Sequence, residues 1–401
     1  MAATTSYQAG AETTNTVISY AVEAVWGTKP AVAFQAIRYT GETLTGAKTR
    51  QRPTEIITTR EASQAVTTQQ TASGAINYAF SYATYDDFFA CLLQNDWQAL
   101  QTVAGVAADI TITQSAGVTT LSSTTSSKFV NLAANTWIRL LGFTNATNNG
   151  FFFVKTHSSD VSLILTGPTA ATTVTETPAT TLAQIRASTI KNGTTFKSLW
   201  IQQKFASNQY LTYAGAYPTR MTIQGGIGAF LSGAVDLVAK AESEVSADGS
   251  TGATTAAPTG RVIDPIAGFV GLFWNDLPVT ATVDQFAITI ENIGAASEFG
   301  MGSANAAGIL GGTFQASGTF RAYFKDFTYY DLFQAETSGR LAIIVKDSAG
   351  NGYAFTFLSA VLAADGVAVG GPNQPVYQNF TIEGGPSGVL GTFVIDRLAG
   401  S

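Results

Sequence analysis

The sequence is short of the residues that most site chemistry needs. It holds one cysteine, Cys91, and one histidine, His157. A disulfide is excluded within the chain, and so are a zinc centre of the usual Cys and His ligands and a Cys/His nucleophile pair, unless those two side chains meet. Cys91 lies in the run Phe88-Phe89-Ala90-Cys91-Leu92-Leu93 and is expected to be a buried, inert thiol. His157, after Phe151-Phe152-Phe153-Val154-Lys155, is expected on a surface loop at a strand end. Charge is scarce too: 12% of residues are charged, where a soluble domain carries about 25%. There are 21 Lys and Arg against 27 Asp and Glu, for a net charge of -6. No run of about five basic residues occurs, which argues against a nucleic-acid binder held by phosphate contacts. No apolar stretch reaches the roughly 18 residues of a membrane-spanning helix. The start, Met1-Ala2-Ala3-Thr4-Thr5-Ser6, lacks the basic and apolar regions of a secretory signal, so a soluble, cytosolic product is expected.

In place of charge the chain carries Thr, Ser, Ala, Gly and Gln, with an ordinary 45% of hydrophobic residues. Taking a hydroxyl or an amide out of water costs far less than taking out a charge, so this composition suits a surface covered by neighbouring subunits. A length of 401 residues suggests two or three domains.

An internal repeat organises the chain. Residues 72–89 reappear without a gap 244 positions on, as 316–333; the copies agree at the Ala-Ser-Gly turn, at Phe80/Phe324, at Thr84-Tyr85/Thr328-Tyr329, at Asp87/Asp331 and at Phe89/Phe333. In each copy bulky and small residues alternate with a period of two: Ile76, Tyr78, Phe80 and Tyr82 in the first, Phe320, Ala322 and Phe324 in the second. That pattern predicts a strand with one buried face. Thr84 then stands three residues before Asp87, and Thr328 before Asp331, the spacing of a helix capping box ahead of an apolar run. A short helix is predicted twice. The pair Asp86-Asp87 is read as capping and helix-end charge rather than as acid/base carboxylates. Further strand signals follow in matching order, at 199–205, 218–223 and 228–238 and again at 341–346, 353–358, 375–382 and 391–395, with Asn351-Gly352 as a tight hairpin signal.

Two segments interrupt the pattern. Between Trp97 and Phe196 lies a Thr/Ala/Ser-rich stretch with its own strand signals and the hairpin signal Asn148-Asn149-Gly150, read as an inserted small β-sandwich or barrel. Residues 247–260 read as a low-charge linker, mobile or loosely draped. The expected organisation is 1–100 and 187–246 for the two parts of a first β domain, 101–186 for the insert, 247–260 for the linker and 261–401 for a second β domain. The most charged stretch, holding Arg50, Arg52, Glu55, Arg60 and Glu61, is either a solvated hairpin or an arm that reaches a neighbouring subunit. The Gly-rich stretch at 294–302 is its counterpart in the second half.

The order of 31–44, a charged arm, Ser73-Gly74 entering a strand, Tyr85-Asp86-Asp87-Phe88 entering a helix, and Trp97, continued by 196–236 and by the whole second half, resembles the major tail tube proteins of long, non-contractile-tailed bacteriophages. The insert, through 129–132, 142–143 and 148–151, is similar to the β domain embedded in many of them. The resemblance implies a mainly β fold: two tandem tail-tube-like antiparallel β domains, each with a short helix, plus the insert. It implies a structural virion protein and no enzyme, without cofactor or metal, assembled in the bacterial host cytoplasm. Its partners would be further copies of itself in stacked rings, the tape measure, distal tail and tail terminator proteins, and phage DNA in transit, with no membrane. Two tube domains per chain favour a homotrimeric ring, with a hexamer as the alternative. Net negative charge suits a channel to which DNA does not adhere, whereas Arg321 and Lys325 on the non-core face need acidic partners if that face lines it. The competing readings are a β-rich adhesin or decoration protein that binds carbohydrate, and a glycoside hydrolase, which needs two facing carboxylates that do not stand out here.

Overall fold

Period-two patterning becomes antiparallel strand through most of the chain, and the fold is mainly β, with two short α-helices among the described residues. The computed structural model describes residues 10–56, 58, 61–115, 118–166, 174–178, 183–388 and 391–400. The long strands outside the insert are β1 (Val17–Val22), β2 (Thr45–Gln51), β3 (Val66–Ala79), β4 (Leu199–Ala206), β5 (Gln209–Gly226), β6 (Ala229–Ala239), β7 (Ala241–Val245), β8 (Phe269–Trp274), β9 (Val283–Ile293), β10 (Thr313–Tyr323), β11 (Gly339–Lys346), β12 (Gly352–Ala368), β13 (Tyr377–Gly385) and β14 (Phe393–Leu398). The helices are α1 (Asp86–Leu92) and α2 (Thr328–Gln334).

The sequence repeat is a repeat of register. Strands β2 and β3 pair Thr45 with Ser73 and Ala47 with Thr71; β9 and β10 pair Thr289 with Ser317 and Glu291 with Gln315, the same positions 244 residues on. Strand β3 meets β6 with Ser73 opposite Val238 and Ala79 opposite Ser232, as β10 meets β13 with Ser317 opposite Glu383 and Tyr323 opposite Tyr377. Even an irregularity is duplicated. The β4–β5 pairing slips between Leu199/Ala216 and Ile201/Tyr213, and the β11–β12 pairing slips between Gly339/Ala360 and Leu341/Phe357.

Strand β5 joins two layers. Its first half pairs with β4 and β7, its second with β6 and β9. The chain bends near Gly215, whose φ of +62° suits glycine and whose missing Cβ leaves room for the Trp26 ring. Glu23 fixes the bend: its carboxylate accepts the Gly215 and Gly27 N–H groups, each at 2.8 Å. Because β9 docks on β5, the two halves form one antiparallel layer in the order β2-β3-β6-β5-β9-β10-β13-β12. Its apolar face, with Tyr78, Val235, Ile223, Ile288 and Phe320, belongs to a single core that takes residues from both halves.

The insert has its own eight-stranded sheet and its own core around Ile112, Phe152 and Leu163. It is also a roof. Trp137, Phe151 and Phe153 pack on Phe273, Ala342, Ile344, Ala354 and Leu398 of the second half. At the matching places of the first half, on β4, stand Gln202 and Lys204, and what covers Gln202 is the 247–260 segment: the Gln202 amide donates to Asp248 at 3.0 Å and accepts the Gly249 N–H at 2.7 Å. Three expectations change accordingly. The linker is not draped but tied down, also through Ser250 to Phe34 and Thr251 to Val32, because its short polar side chains and backbone satisfy groups of the first half. His157 lies within the strand Gly150–Ser159, half-buried and 3.5 Å from Asp160, rather than on a loop. The Asn351-Gly352 turn is wider than a two-residue hairpin: Lys346 pairs with Gly352, and Asp347 closes the loop by accepting the Asn351 N–H at 2.8 Å.

Candidate assembly and channel surfaces

The face of the eight-strand layer opposite the core is built of small polar side chains in rows. One row runs Asn77, Ala234, Thr222, Thr289, Ser317, Glu383, Val361 across seven paired strands; the next runs Ala79, Ser232, Gln224, Ala287, Thr319, Thr381, Ala363. The row through Asp236, Arg220, Glu291 and Gln315 holds most of the charge. Its cation is partnered, with Arg220 Nε 3.9 Å from Glu291 Oε2. Arg321 is held more firmly: Nε lies 3.0 Å from both Asp284 oxygens and a terminal nitrogen 2.6 Å from Oδ2, while the guanidinium stacks 4.5 Å from the Tyr377 ring centre. Bonding to Asp284 raises the Arg321 pKa further. A cation that two carboxylate oxygens already occupy has little left for a phosphate. Lys325 lies past the end of β10, exposed beside Asp326.

Where the halves meet, the chain contains an interface with itself. Strand β5 pairs with β9, setting Arg220 opposite Glu291, Met221 opposite Ile290 and Ile223 opposite Ile288. Helix α1 is sealed into the same junction and buries six of its seven residues. Phe89 meets the rings of Tyr353 and Phe355 at 6.0 Å. The buried Asp86 accepts from Tyr353 Oη and from Arg397, both at 2.5 Å, and Arg397 lies 5.0 Å over the Trp97 ring. Burial pushes the Asp86 carboxyl up, and Arg397 and Tyr353 only partly pull it back. Asn292 Nδ2 donates to Leu92 O and to Tyr217 Oη, each at 2.9 Å.

At its two ends the layer is open. Among the described residues β2 pairs with β3 alone, and the far half of β12 with β13 alone. An unpaired edge of this kind presents backbone N–H and C=O groups that another strand can meet.

The family model of the phage tail tube proteins matches residues 13–384. The chain belongs to that family. No curated protein matches it. The fold expected from the resemblance, mainly antiparallel β with two short helices, is the observed one, and among the described residues no helix is long and apolar enough to cross a membrane.

In this tail tube protein the charged arm is a β-hairpin. Arg50 donates to Ala65 O at 2.8 Å, Arg52 to Ser63 O at 2.9 Å, and Glu55 accepts from Ser63 Oγ at 3.3 Å, so these side chains brace their own hairpin. Glu61 is exposed, and Arg60 lies outside the described residues. The capping boxes do not form. Helix α1 begins at Asp86, two residues later in the repeat than α2. Its Thr84 is buried and its hydroxyl is hydrogen-bonded to Ser81 Oγ at 2.8 Å, while Asp87 accepts from Tyr20 Oη at 2.9 Å. At α2, Thr328 is already the first helical residue, Asp331 sits in the first turn, and Asp326 Oδ1 accepts the Thr328 N–H at 3.0 Å. The physical reason is shared: Tyr85 and Tyr329 turn into the core, toward Arg38 O and the Thr280 N–H, and set the helix entry in place of a hydroxyl cap. Cys91 is buried in α1, and burial pushes its thiol up. Sequence reasoning missed Arg397 and Asp284, whose partners lie far along the chain. The polar rows were visible as the small residues that alternate with the core residues.

Proposed function

We propose that this tail tube protein self-assembles into rings that stack as the tail tube of a non-contractile-tailed phage, with the polar face of the eight-strand layer lining the channel for DNA. The observation that carries the reading is that face: two rows made mostly of Ser, Thr, Asn, Gln and Ala and a third that holds Asp236, Arg220 and Glu291, with Arg220 and Arg321 each beside a carboxylate. Such a wall pairs the two arginines of its rows with carboxylates, so phosphates pass without being held. Two repeats per chain give a ring of three copies six similar units, and the homotrimer is the favoured state, the hexamer the alternative. In the completed tube the lumen holds the tape measure protein before DNA passes, and terminator and distal tail proteins close the ends. The insert at 101–186 stands as a separate unit on the second half. The hairpin with Arg50, Arg52 and Glu55 reaches a neighbouring copy.

Negative-stain electron microscopy of the purified protein over a concentration and salt series tests this. Hollow rings or tubes are expected, with threefold top views for the trimer and sixfold ones for the hexamer. Globular particles alone at every concentration, with binding in a glycan screen, would shift the assignment to an adhesin.

A further inference from the structure

We infer that the cavity at the root of the insert is a binding site for a small primary alkylammonium, with the charged head against Asp396 and the alkyl stem running out along Val394 and Leu358. All of the site lies within one chain, so it does not depend on ring formation.

Three parts of the chain close on this place. The insert contributes Ala133 and Thr136, the short strand Thr189–Lys191 that leaves the insert contributes Thr189, and the second half contributes Leu358 of β12 and Val394 of β14. Together they line a cavity of about 330 Å³. A narrower recess of about 10 Å³ shares Ala133, Thr136 and Thr189 with it and ends on Asp396. That is room for one nitrogen or oxygen centre.

The recess is built around a carboxylate that the chain only half answers. Asp396 is 1% exposed and its Oδ2 accepts the Trp137 N–H at 2.9 Å, but Oδ1 has no hydrogen-bond partner among the described residues. Thr189 Oγ1, opposite it in the strand register, has none either. Thr136 Oγ1 gives its proton to Ala133 O at 2.7 Å, which leaves its lone pairs for a further donor. Three oxygens that can accept therefore line one recess.

Burying a carboxylate in this condition is costly, and the group that answers it best is a donor carrying positive charge. A metal ion fits poorly, because among the described residues no three His, Cys, Asp or Glu side chains come together to hold one. An ammonium fits well. It is a compact cation with three N–H donors, one for each oxygen, whereas a planar guanidinium is too wide for a recess of this size. Beyond the head, Ala133, Ala134, Val394 and Leu358 give the larger cavity an apolar wall, which suits methylene groups. The rim then selects the far end of the stem. Lys191 stands exposed there, and Asp96 is already paired with Lys197. A second ammonium would meet a cation and no free acid, so monoamines are preferred to diamines.

A ligand-detected NMR titration of the full chain with n-butylamine tests the site, at fixed ionic strength and about pH 8, where the amine is protonated. Saturable binding is expected, at least tenfold tighter than for n-butanol, which lacks the charge, and at least fivefold tighter than for putrescine, which carries a second one. Asp396→Asn keeps the shape of the carboxyl group and should weaken binding at least tenfold. Ala133→Trp puts a ring into the cavity from an exposed position outside the core and should weaken it as much. Circular dichroism checks that both variants are folded. Absence of saturable binding, binding that survives either folded variant, or n-butanol bound as tightly as the amine overturns the site and leaves the recess to a water molecule.

Discussion

Asp396 carries an ionisable group where the fold can least use one. It sits on β14, buried, beneath the insert, with Oδ2 accepting the Trp137 N–H at 2.9 Å and Thr189 as its neighbour on the adjoining strand. Burial raises its pKa from 3.8 to about 7, against the lowering effect of the Trp137 N–H. The folded state therefore keeps a proton that the unfolded chain gives up, and stability is lost as pH rises from about 4 to about 7, by ~1.36 kcal/mol for each unit between the two values. Asp396→Asn removes that loss and keeps the shape. Urea unfolding of the dilute protomer should find the variant more stable by roughly 2–4 kcal/mol at pH 7.5, with the gain shrinking toward pH 4.5. An unchanged pH profile would mean that the carboxylate is solvated or paired in solution. No sequence signal marks this residue. Its environment is set by Trp137, 259 positions away, just as Asp86 is set by Arg397, 311 positions away.

Between the two helices the repeat keeps the fold and changes the burial. Period two identified β3 and β10, and the apolar run after each identified α1 and α2, because those signals depend only on near neighbours in the chain. What sequence could not settle was the helix start, taken over by Tyr85 and Tyr329, or the length of β5, where Gly215 and Pro218 interrupt the alternation inside one continuous strand. The difference in burial predicts a difference in effect. Phe89→Ala empties a site that is 0% exposed and should cost about 3–5 kcal/mol of protomer stability. Phe333→Ala removes a half-exposed ring and should cost the protomer about 1 kcal/mol or less, while weakening self-association at least tenfold. Thermal unfolding of dilute protein together with sedimentation over a concentration series separates the two. Equal losses of protomer stability would mean that α2 is already covered within one chain.

At the scale of the whole molecule, the duplication and the small polar residues were legible because each is a pattern within a segment. The junction was not, since β5 and β9 belong to different halves and nothing in either strand names its partner; nor was the roof over Ala342 and Ile344, which in sequence are only two apolar residues among many. Once paired, those strands put every second residue of both halves on one wall, and the wall can be tested directly. Gln224 and Thr319 are exposed, lie in one row and flank Ala287, so replacing both with lysine adds two cations to that face without disturbing the core. If the face lines the channel, tubes of Gln224→Lys/Thr319→Lys should keep their form in the microscope yet retain short duplex DNA on sedimentation at low salt. They should release it as salt rises, because each lysine–phosphate contact contributes a slope of about −0.9 in log affinity against log salt. Tubes of the unmodified protein should retain none under the same conditions. Retention no greater than that of unmodified tubes would put this face outside the channel and transfer the lining to another part of the chain.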